Sequence, residues 1–365
     1  MIHKPLKKFT ALLLLTAVIV AQCACTAQTQ PQEPAAQTSF GEDWLLNTYC
    51  YIQTYEAGQE SLIRQAFSAA RDLENQLSRT IETSDIGRFN ASEDGCEVSE
   101  HTAFLWSWYR YFLEGTGGKF DPTVGSLTEL WNFSADEPHV PGADAIAEAL
   151  THVGNWDDLS MEAEQVGRSV YEYRLDKTDP GIKLDFGASA KGYIAQLTAA
   201  FLRGEGVSRA IINFGGNVVF VGAKEDGSDW VCGIEDPAEG RSDALIQDRG
   251  IVGLVHCRPQ TEEGDVAVVT SGTYERCFEE DGVLYHHVLD PATGYPVETD
   301  LLSATVIGPE ATLCDILSTC CLLLGSEKGL ELVENFDLQP ESYEAVFILK
   351  DGSIITTDGA DFEEN

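Results

Sequence analysis

Two adjacent histidines, His286 and His287, follow a short strand-like run at residues 283–285. An aspartate–proline pair, Asp290-Pro291, then turns the chain sharply. An imidazole changes its charge near neutral pH, so a histidine at the end of a strand close to a carboxylate suits proton transfer. A polar hairpin tip without any chemical role explains the same residues, and these residues alone favour that simpler interpretation.

A second candidate group lies in the stretch 313–324. Six apolar residues recur there at intervals of three and four, which predicts a helix with one buried stripe. Asp315 and Thr319 are four residues apart and therefore lie one turn apart on a neighbouring face. A carboxylate and a hydroxyl so placed offer two hard oxygen ligands to Mg²⁺. An aspartate stabilised by the helix dipole, with a threonine packed through its methyl group, fits this spacing equally well.

A third group lies where a predicted strand at residues 182–186 ends. The chain passes from Asp185 through a glycine into a helix that has Lys191 in its first turns. Backbone N–H groups at a helix start, together with a lysine, suit a phosphate group. The pattern is not the Walker sequence, and an ordinary strand-to-helix connection has the same appearance.

The periodicity of apolar residues predicts the elements that must position these groups. Further helices are predicted at residues 60–77, 100–115, 143–152 and 195–203, and further strands at 46–55, 170–175, 210–214, 218–221, 230–235, 251–255 and 267–269. Residues 84–90 are predicted to form a polar turn. Short turns between the strands favour antiparallel pairing, so residues 46–365 are predicted to form one intertwined α+β body with a largely antiparallel sheet and flanking helices.

The N-terminus has the pattern of an export signal. Three lysines precede an apolar run at residues 9–21, which is too short to span a bilayer comfortably. Cys23 and Cys25 follow where a bacterial lipoprotein signal places its lipidated cysteine. We therefore predict a lipoprotein-type signal over residues 1–25 and a disordered tether over residues 26–45, with extracytoplasmic anchoring to the cell membrane. An ordinary cleaved signal and an uncleaved anchor are the alternatives.

The charge of the chain restricts its partners. Lys and Arg number 23 against 60 Asp and Glu, which gives a formal net charge of −37. Such a surface repels nucleic acids and anionic membranes. A phosphate-bearing ligand must therefore be held through a bound cation or a local basic residue.

The remaining eight cysteines show no metal-binding spacing. Disulfides are possible in an exported protein, but Cys314, Cys320 and Cys321 lie in the apolar helical pattern and are predicted to be core residues.

Taken together, seven segments resemble the FAD:protein FMN transferase family, formerly called thiamine biosynthesis lipoproteins. They follow the family order over nearly the whole mature chain: residues 84–90 (SDIGRFN), 118–125 (GKFDPTVG), 184–193 (LDFGASAKGY), 212–217 (INFGGN), 270–276 (TSGTYER), 285–296 (YHHVLDPATGYP) and 315–319 (DILST). Each motif is weak alone, and their shared order makes the resemblance specific.

The resemblance implies an activity and its cofactor. The family cleaves FAD, releases AMP and attaches FMN through a phosphoester to a Thr or Ser hydroxyl of an exported acceptor protein. It also implies a Mg²⁺ site formed by the backbone carbonyl of Ala188 and the side chains of Asp315 and Thr319, with Ser318 as a further neighbour.

The same resemblance assigns the remaining site residues. His287 is expected to act as general base on the acceptor hydroxyl, with Asp290 orienting it, whereas His286 is expected to have no catalytic role. The residues expected to contact FAD are Lys119, Phe120, Asp121, Asp185, Lys191 and Val288.

The sequence departs from the family pattern at two places. Leu46-Asn47-Thr48 replaces the usual Met-Gly-Thr, and Thr80 replaces a tyrosine that packs on the flavin or adenine. Both changes affect the nucleotide-binding surface, so a Mg²⁺-dependent FAD pyrophosphatase and a non-catalytic FAD-binding lipoprotein are the alternative functions. A solute-binding lipoprotein would need two α/β lobes, which the strand-rich second half does not suggest.

Overall fold

Eight strands form the central sheet of the computed structural model, which describes residues 38–237, 250–336 and 342–365. In spatial order they are β1 (Ser39–Leu45), β2 (Thr48–Thr54), β6 (Ala210–Phe214), β7 (Asn217–Val221), β10 (Asp265–Gly272), β13 (Leu301–Gly308), β14 (Glu344–Leu349) and β15 (Ile354–Thr356). Every neighbouring pair in this sheet is antiparallel. The predicted α+β class with a largely antiparallel sheet is therefore confirmed.

Helices cover one face of the central sheet. The three that pack closest to it are α1 (Glu60–Leu77), α6 (Ala190–Gly204) and α7 (Ala311–Leu324). The other helices of the described residues are α2 (Asp85–Ala91), α3 (Glu100–Gly115), α4 (Gly125–Trp131), α5 (Ala143–Leu150) and α8 (Ser326–Glu334), with a short 3₁₀ helix at Trp156–Asp158. Apolar side chains of α1, α6, α7 and the sheet form one buried cluster, which is the main core.

A three-stranded sheet covers part of the opposite face. Its order is β16 (Phe362–Glu364), β9 (Ile251–Cys257) and β8 (Trp230–Glu235). Side chains of β7 and β10, among them Phe220 and Val268, pack against Trp230 and Val255 in a second apolar cluster. The two remaining sheets are β3 (Gly95–Val98), β5 (Tyr171–Lys177) and β4 (Leu159–Gln165), and the hairpin of β11 (Cys277–Glu280) with β12 (Val283–His286).

Three predicted elements need correction. The predicted tether was too long, because residues 39–45 form β1 and pair with β2. Residues 84–90 are not a turn, since most of them form α2, capped by the side chain of Ser84. The strand predicted at residues 182–186 is reduced to one isolated bridge between Lys183 and Val124.

Cys314, Cys320 and Cys321 are free thiols and are buried as predicted. None of the helices in the described part of the chain is long and apolar enough to cross a membrane. The predicted signal and the tether up to residue 37 lie outside the described residues.

Candidate active site

The candidate active site is a cleft where several chain segments meet. Among them are the loop after α3, the turn before α6, the end of β10, the residues after β12, and the helix α7. Every predicted site residue except Asp290 lines this cleft, namely Lys119, Phe120, Asp121, Asp185, Ala188, Lys191, His287, Val288, Asp315 and Thr319. The fold thus brings together groups that are distant in the sequence.

The turn that begins at Asp185 forms one wall of the cleft. One carboxylate oxygen of Asp185 accepts a hydrogen bond from the backbone N–H of Gly187 (2.8 Å), and the other pairs with Arg79 (3.0 Å). The chain then enters α6, with Lys191 in the first turn. The start of a helix and a lysine together favour an anionic group at this position.

The three predicted metal ligands offer a consistent set of donors. Asp315 is 2% exposed, and one of its oxygens accepts a hydrogen bond from the backbone N–H of Gly192 (2.8 Å). A hydrogen bond joins the hydroxyls of Thr319 and Ser271 (3.2 Å). Together with the carbonyl of Ala188, these are hard oxygen donors, and a cation would stabilise the buried carboxylate. The residues therefore fit Mg²⁺.

The donor set does not fit a closed structural metal site. Within the described ranges, no group of three or more His, Cys, Asp or Glu side chains could hold a metal ion. The three predicted ligands include one carboxylate, that of Asp315, so oxygens from water or a phosphate must complete the coordination shell. Proteins commonly bind Mg²⁺ together with a nucleotide in this way.

Four cationic side chains line the cleft, namely Arg79, Lys119, Lys191 and Arg276. Lys119 donates a hydrogen bond to the carbonyl of Leu323 (3.1 Å). The positive charge of Lys191 acts both on the carboxylate of Asp315 and on the imidazole of His287. These cations offer charge partners to an anionic ligand, beside the carboxyl groups of Asp121, Asp185, Glu275 and Asp315 that line the same cleft.

His287 lies in the cleft directly after β12. Its backbone N–H donates to the carbonyl of Arg276 (3.0 Å), while its Nδ1 is buried without a hydrogen-bond partner among the described residues. Burial holds the pKa of this imidazole well below its usual value, and the positive charges of Arg276 and Lys191 lower the pKa further. His287 is therefore neutral at pH 7 and able to accept a proton.

Asp290 lies beside the cleft and has other partners. Its carboxylate accepts a hydrogen bond from the backbone N–H of Ala292 (2.8 Å) and lies 3.9 Å from the ammonium of Lys119. In the described part of the chain, no hydrogen bond joins Asp290 to His287. Asp290 thus stabilises the turn and lies beside Lys119, and its orienting effect on His287 stays a prediction.

The loop at residues 119–121 is held by its own contacts. Phe120 stacks on Tyr109, with ring centroids 4.8 Å apart and 10° between the planes. Asp121 accepts hydrogen bonds from the backbone N–H of Thr123 (2.8 Å) and from the indole of Trp156 (3.1 Å). Burial raises the pKa of Asp121, and these hydrogen bonds oppose that effect. Both residues shape the cleft, and their contacts with FAD stay predictions.

Sequence reasoning assigned no role to several polar side chains of the cleft, among them Arg79 and Ser271. Arg79 pairs with Asp185, and Ser271 bonds to the hydroxyls of both Ser318 (2.8 Å) and Thr319. Ser271 lies in the segment 270–276 that resembles the family, whereas Arg79 belongs to none of the seven segments. The signal available for Arg79 was its position directly before Thr80, which replaces a tyrosine of the family pattern. Thr80 itself is exposed and does not line the cleft.

The other departure from the family pattern forms a tight turn. Leu46 and Asn47 connect β1 and β2, and both have a φ of 56°. A two-residue hairpin turn requires this left-handed conformation, which asparagine tolerates better than most residues. Asn47 therefore preserves the backbone shape that a glycine would provide.

Comparisons with known proteins agree with this geometry. The model of the ApbE family matches residues 46–347. The FAD:protein FMN transferase of Treponema pallidum is 31% identical over 331 residues, which cover 86% of this chain and 85% of that protein.

Solved structures share the fold. The crystal structure of the ApbE protein from Thermotoga maritima has a TM-score of 0.74 and 30% identity, and the match covers 88% of this chain and 97% of that one. The flavinyl transferase ApbE of Pseudomonas stutzeri, in its apo form, has a TM-score of 0.68 and 28% identity over 88% of this chain and 94% of that chain.

Proposed function

Since the chain belongs to the ApbE family and is a transferase, we propose that it transfers FMN from FAD to a Thr or Ser hydroxyl of an exported acceptor protein. Mg²⁺ is the proposed cofactor, and AMP is the second product. The observation that carries this proposal is one cleft that contains a neutral histidine, a lysine and the oxygen donors Asp315 and Thr319.

The reaction needs a base for the acceptor. The acceptor oxygen forms a bond to the phosphorus on the FMN side of the pyrophosphate, and the bond from that phosphorus to the bridging oxygen breaks. AMP leaves with the bridging oxygen, while the hydroxyl proton passes to His287 and then to solvent. At neutral pH the imidazole of His287 is unprotonated and can accept this proton.

The reaction also needs charge neutralisation around the pyrophosphate. Ala188, Asp315 and Thr319 would hold Mg²⁺, which when bound would stabilise negative charge on the phosphate oxygens. Lys191 lies near enough to Asp315 and His287 for its charge to act on both, so we assign it to the phosphates.

The rest of the cleft supports binding of FAD. Lys119, Phe120, Asp121, Asp185 and Val288 line it beside the proposed phosphate site. Phe120 and Val288 are apolar and buried, whereas Lys119 and Asp185 are partly exposed. A mixed surface of this kind suits a ligand that has aromatic rings at both ends and charge in the middle.

We place the protein outside the cytoplasm, anchored to the cell membrane through a lipid on Cys23 or Cys25. This proposal rests on the sequence pattern of residues 1–25. Incorporation of a labelled fatty acid into the wild type would support it, and equal incorporation after replacement of both cysteines would refute it.

One assay separates transfer from the alternatives. The mature protein is incubated with FAD, Mg²⁺ and a candidate acceptor that carries an exposed threonine. AMP release with flavin fluorescence on the acceptor in a denaturing gel is expected for a transferase. AMP and free FMN without labelled protein would indicate an FAD pyrophosphatase, and bound FAD without turnover would indicate a binding protein.

His287→Ala tests the assigned base. We expect the variant to bind FAD normally and to label the acceptor about 10²- to 10⁴-fold more slowly, because a general base contributes on that order. His139→Ala is the matched control, since His139 is exposed and does not line the cleft. Labelling by His287→Ala at the wild-type rate would show that another group takes the proton.

A further inference from the structure

A second groove lies beside the cleft and shares part of its lining. Its volume is about 450 Å³, and Lys191, Glu275 and Arg276 line both spaces. Two of these three residues, Lys191 and Arg276, lie close enough to His287 for their charges to lower its pKa. The groove therefore adjoins the cleft at Arg276, whose backbone carbonyl accepts a hydrogen bond from the backbone N–H of His287 (3.0 Å).

The central sheet forms the floor of the groove. Its floor residues come in alternating positions from three neighbouring strands: Ile211 and Asn213 of β6, Val218 and Phe220 of β7, and Val268 and Thr270 of β10. Side chains alternate between the two faces of a strand, so this pattern identifies one face of the sheet. It is the face that also packs against β8 and β9.

The strand β8 forms the opposite wall with its edge. Three successive residues, Val231, Cys232 and Gly233, line the groove. Because neighbouring side chains of a strand point in opposite directions, three successive residues border one space only along the strand's edge. Among the described residues, β8 pairs with β9 alone and ends its sheet. Its outer edge therefore presents backbone N–H and C=O groups to the groove.

The rim of the groove is apolar where β8 and β9 contribute Val231 and Ile251. Val231 is 43% exposed and Ile251 is 42% exposed, and both line the groove. Exposed apolar side chains beside an open strand edge are typical of surfaces that bind an extended chain. The positive charges of the groove, Lys191 and Arg276, are confined to the part shared with the cleft.

We propose that this groove binds an extended segment of the acceptor protein, which pairs with the edge of β8 and directs its Thr or Ser hydroxyl toward His287. The inference rests on the proposed function, because it requires FAD in the adjoining cleft. Backbone pairing would give affinity, and the apolar rim would select small or apolar side chains next to the modified residue. The competing occupant is part of FAD itself, since Leu46, Asn47 and Lys191 border the groove and belong to the surface expected to bind the nucleotide.

Substitutions on the rim distinguish these occupants. The probe is a ten-residue peptide with one central Thr among Gly, Ala and Val residues. At saturating FAD, Val231→Arg is expected to raise the KM for the peptide about tenfold and to leave the Kd for FAD at the wild-type value. Val170→Arg is the matched control, because Val170 is 59% exposed and does not line the groove; it should change neither constant.

Backbone pairing is tested separately. A peptide methylated on the backbone nitrogens that flank the threonine cannot donate to a strand edge, so its kcat/KM should fall about tenfold. Hydrogen exchange should show that the unmethylated peptide protects the amides of residues 231–233, whereas FAD alone does not.

Three results would overturn the inference. Protection of residues 231–233 by FAD alone, or a tenfold loss of FAD affinity in Val231→Arg, would make the groove a nucleotide subsite. AMP release without labelling of the peptide and without protection of residues 231–233 would refute the acceptor groove while the reaction on FAD stands. Absence of both FAD binding and AMP release would instead refute the proposed function.

Discussion

Single residues set the roles of the two adjacent histidines. His287 lines the cleft, whereas His286 is 5% exposed and does not. Both have a buried Nδ1 without a hydrogen-bond partner in the described part of the chain. Sequence spacing identified the pair as a candidate, and only the resemblance chose between them. The choice depends on how the hairpin of β11 and β12 meets the cleft, which local sequence does not determine.

The burial of His286 makes stability depend on pH. Burial lowers its pKa to about 4, and the positive charge of Lys350 adds to that effect. The folded state therefore favours the neutral ring relative to the unfolded chain, whose histidine has a pKa of about 6.5. The resulting stabilisation is complete above pH 6.5 and is lost as the pH falls from 6.5 toward 4.

As the pH falls from 7.5 to 5, protonation of His286 in the unfolded chain is expected to reduce the free energy of unfolding by about 2 kcal/mol. Urea unfolding of the wild type and of His286→Gln at both pH values measures this contribution as the difference between their pH dependences. Equal pH dependences in the two proteins would mean that His286 becomes protonated in the folded state without penalty.

At the scale of elements, the contact between α6 and α7 builds the metal and phosphate region. Gly192, in the first turn of α6, donates its backbone N–H to Asp315 of α7. A Cβ atom at this glycine would lie 2.3 Å from the carbonyl oxygen of Ala311 and 2.6 Å from the Cβ of Asp315. Only glycine therefore lets the two helices approach closely enough to place Lys191 beside Asp315.

Gly192→Ala should push α6 and α7 apart. We expect a loss of about 1–3 kcal/mol in the free energy of unfolding, as for other overpacked sites, and a higher Mg²⁺ concentration for half-maximal AMP release. Gly204→Ala is the matched control, because Gly204 ends the same helix and a Cβ atom there would extend into open space. Unchanged stability and Mg²⁺ dependence in Gly192→Ala would show that the helices adjust without effect on the site.

Elements with a strong periodicity of their own were predictable. The helices at 60–77 and 100–115 match α1 and α3 residue for residue, because each has an apolar face that repeats over at least four turns. The helix α2 was missed because long-range contacts hold it. The carboxylate of Asp85 accepts hydrogen bonds from the backbone N–H of Ser99 (2.7 Å) and the hydroxyl of Thr102 (2.8 Å).

The strand β1 was missed for a related reason. Its sequence, SFGEDWL, contains a glycine and two acidic residues, and its alternate side chains are exposed at the edge of the sheet. The local sequence therefore does not favour a strand there. The strand forms because β1 pairs with β2 across the turn at Leu46 and Asn47. The same limit applies to the site, because the ion pair of Arg79 with Asp185 joins distant segments.

At the scale of the whole molecule, two opposing electrostatic fields act on FAD. The net charge of −37 repels this anionic ligand at long range. Inside the cleft, Arg79, Lys119, Lys191 and Arg276 attract it, and the carboxyl groups that line the same space offset part of this attraction. Salt screens both fields, but not at the same concentration. The Debye length is about 30 Å at 0.01 M and about 8 Å at 0.15 M, so the long-range repulsion is screened first.

The association rate of FAD should therefore pass through a maximum as salt increases. At fixed Mg²⁺, we expect it to rise several-fold between about 0.01 and 0.15 M NaCl, as the repulsion is screened, and to fall at higher salt, as the attraction of the cleft weakens. Stopped-flow quenching of flavin fluorescence measures the rate, and uncharged riboflavin is the control ligand whose rate should stay flat. A rate for FAD that falls steadily from the lowest salt would mean that the four cations of the cleft dominate at every distance. In that case the acidic surface would not hinder the approach of the nucleotide.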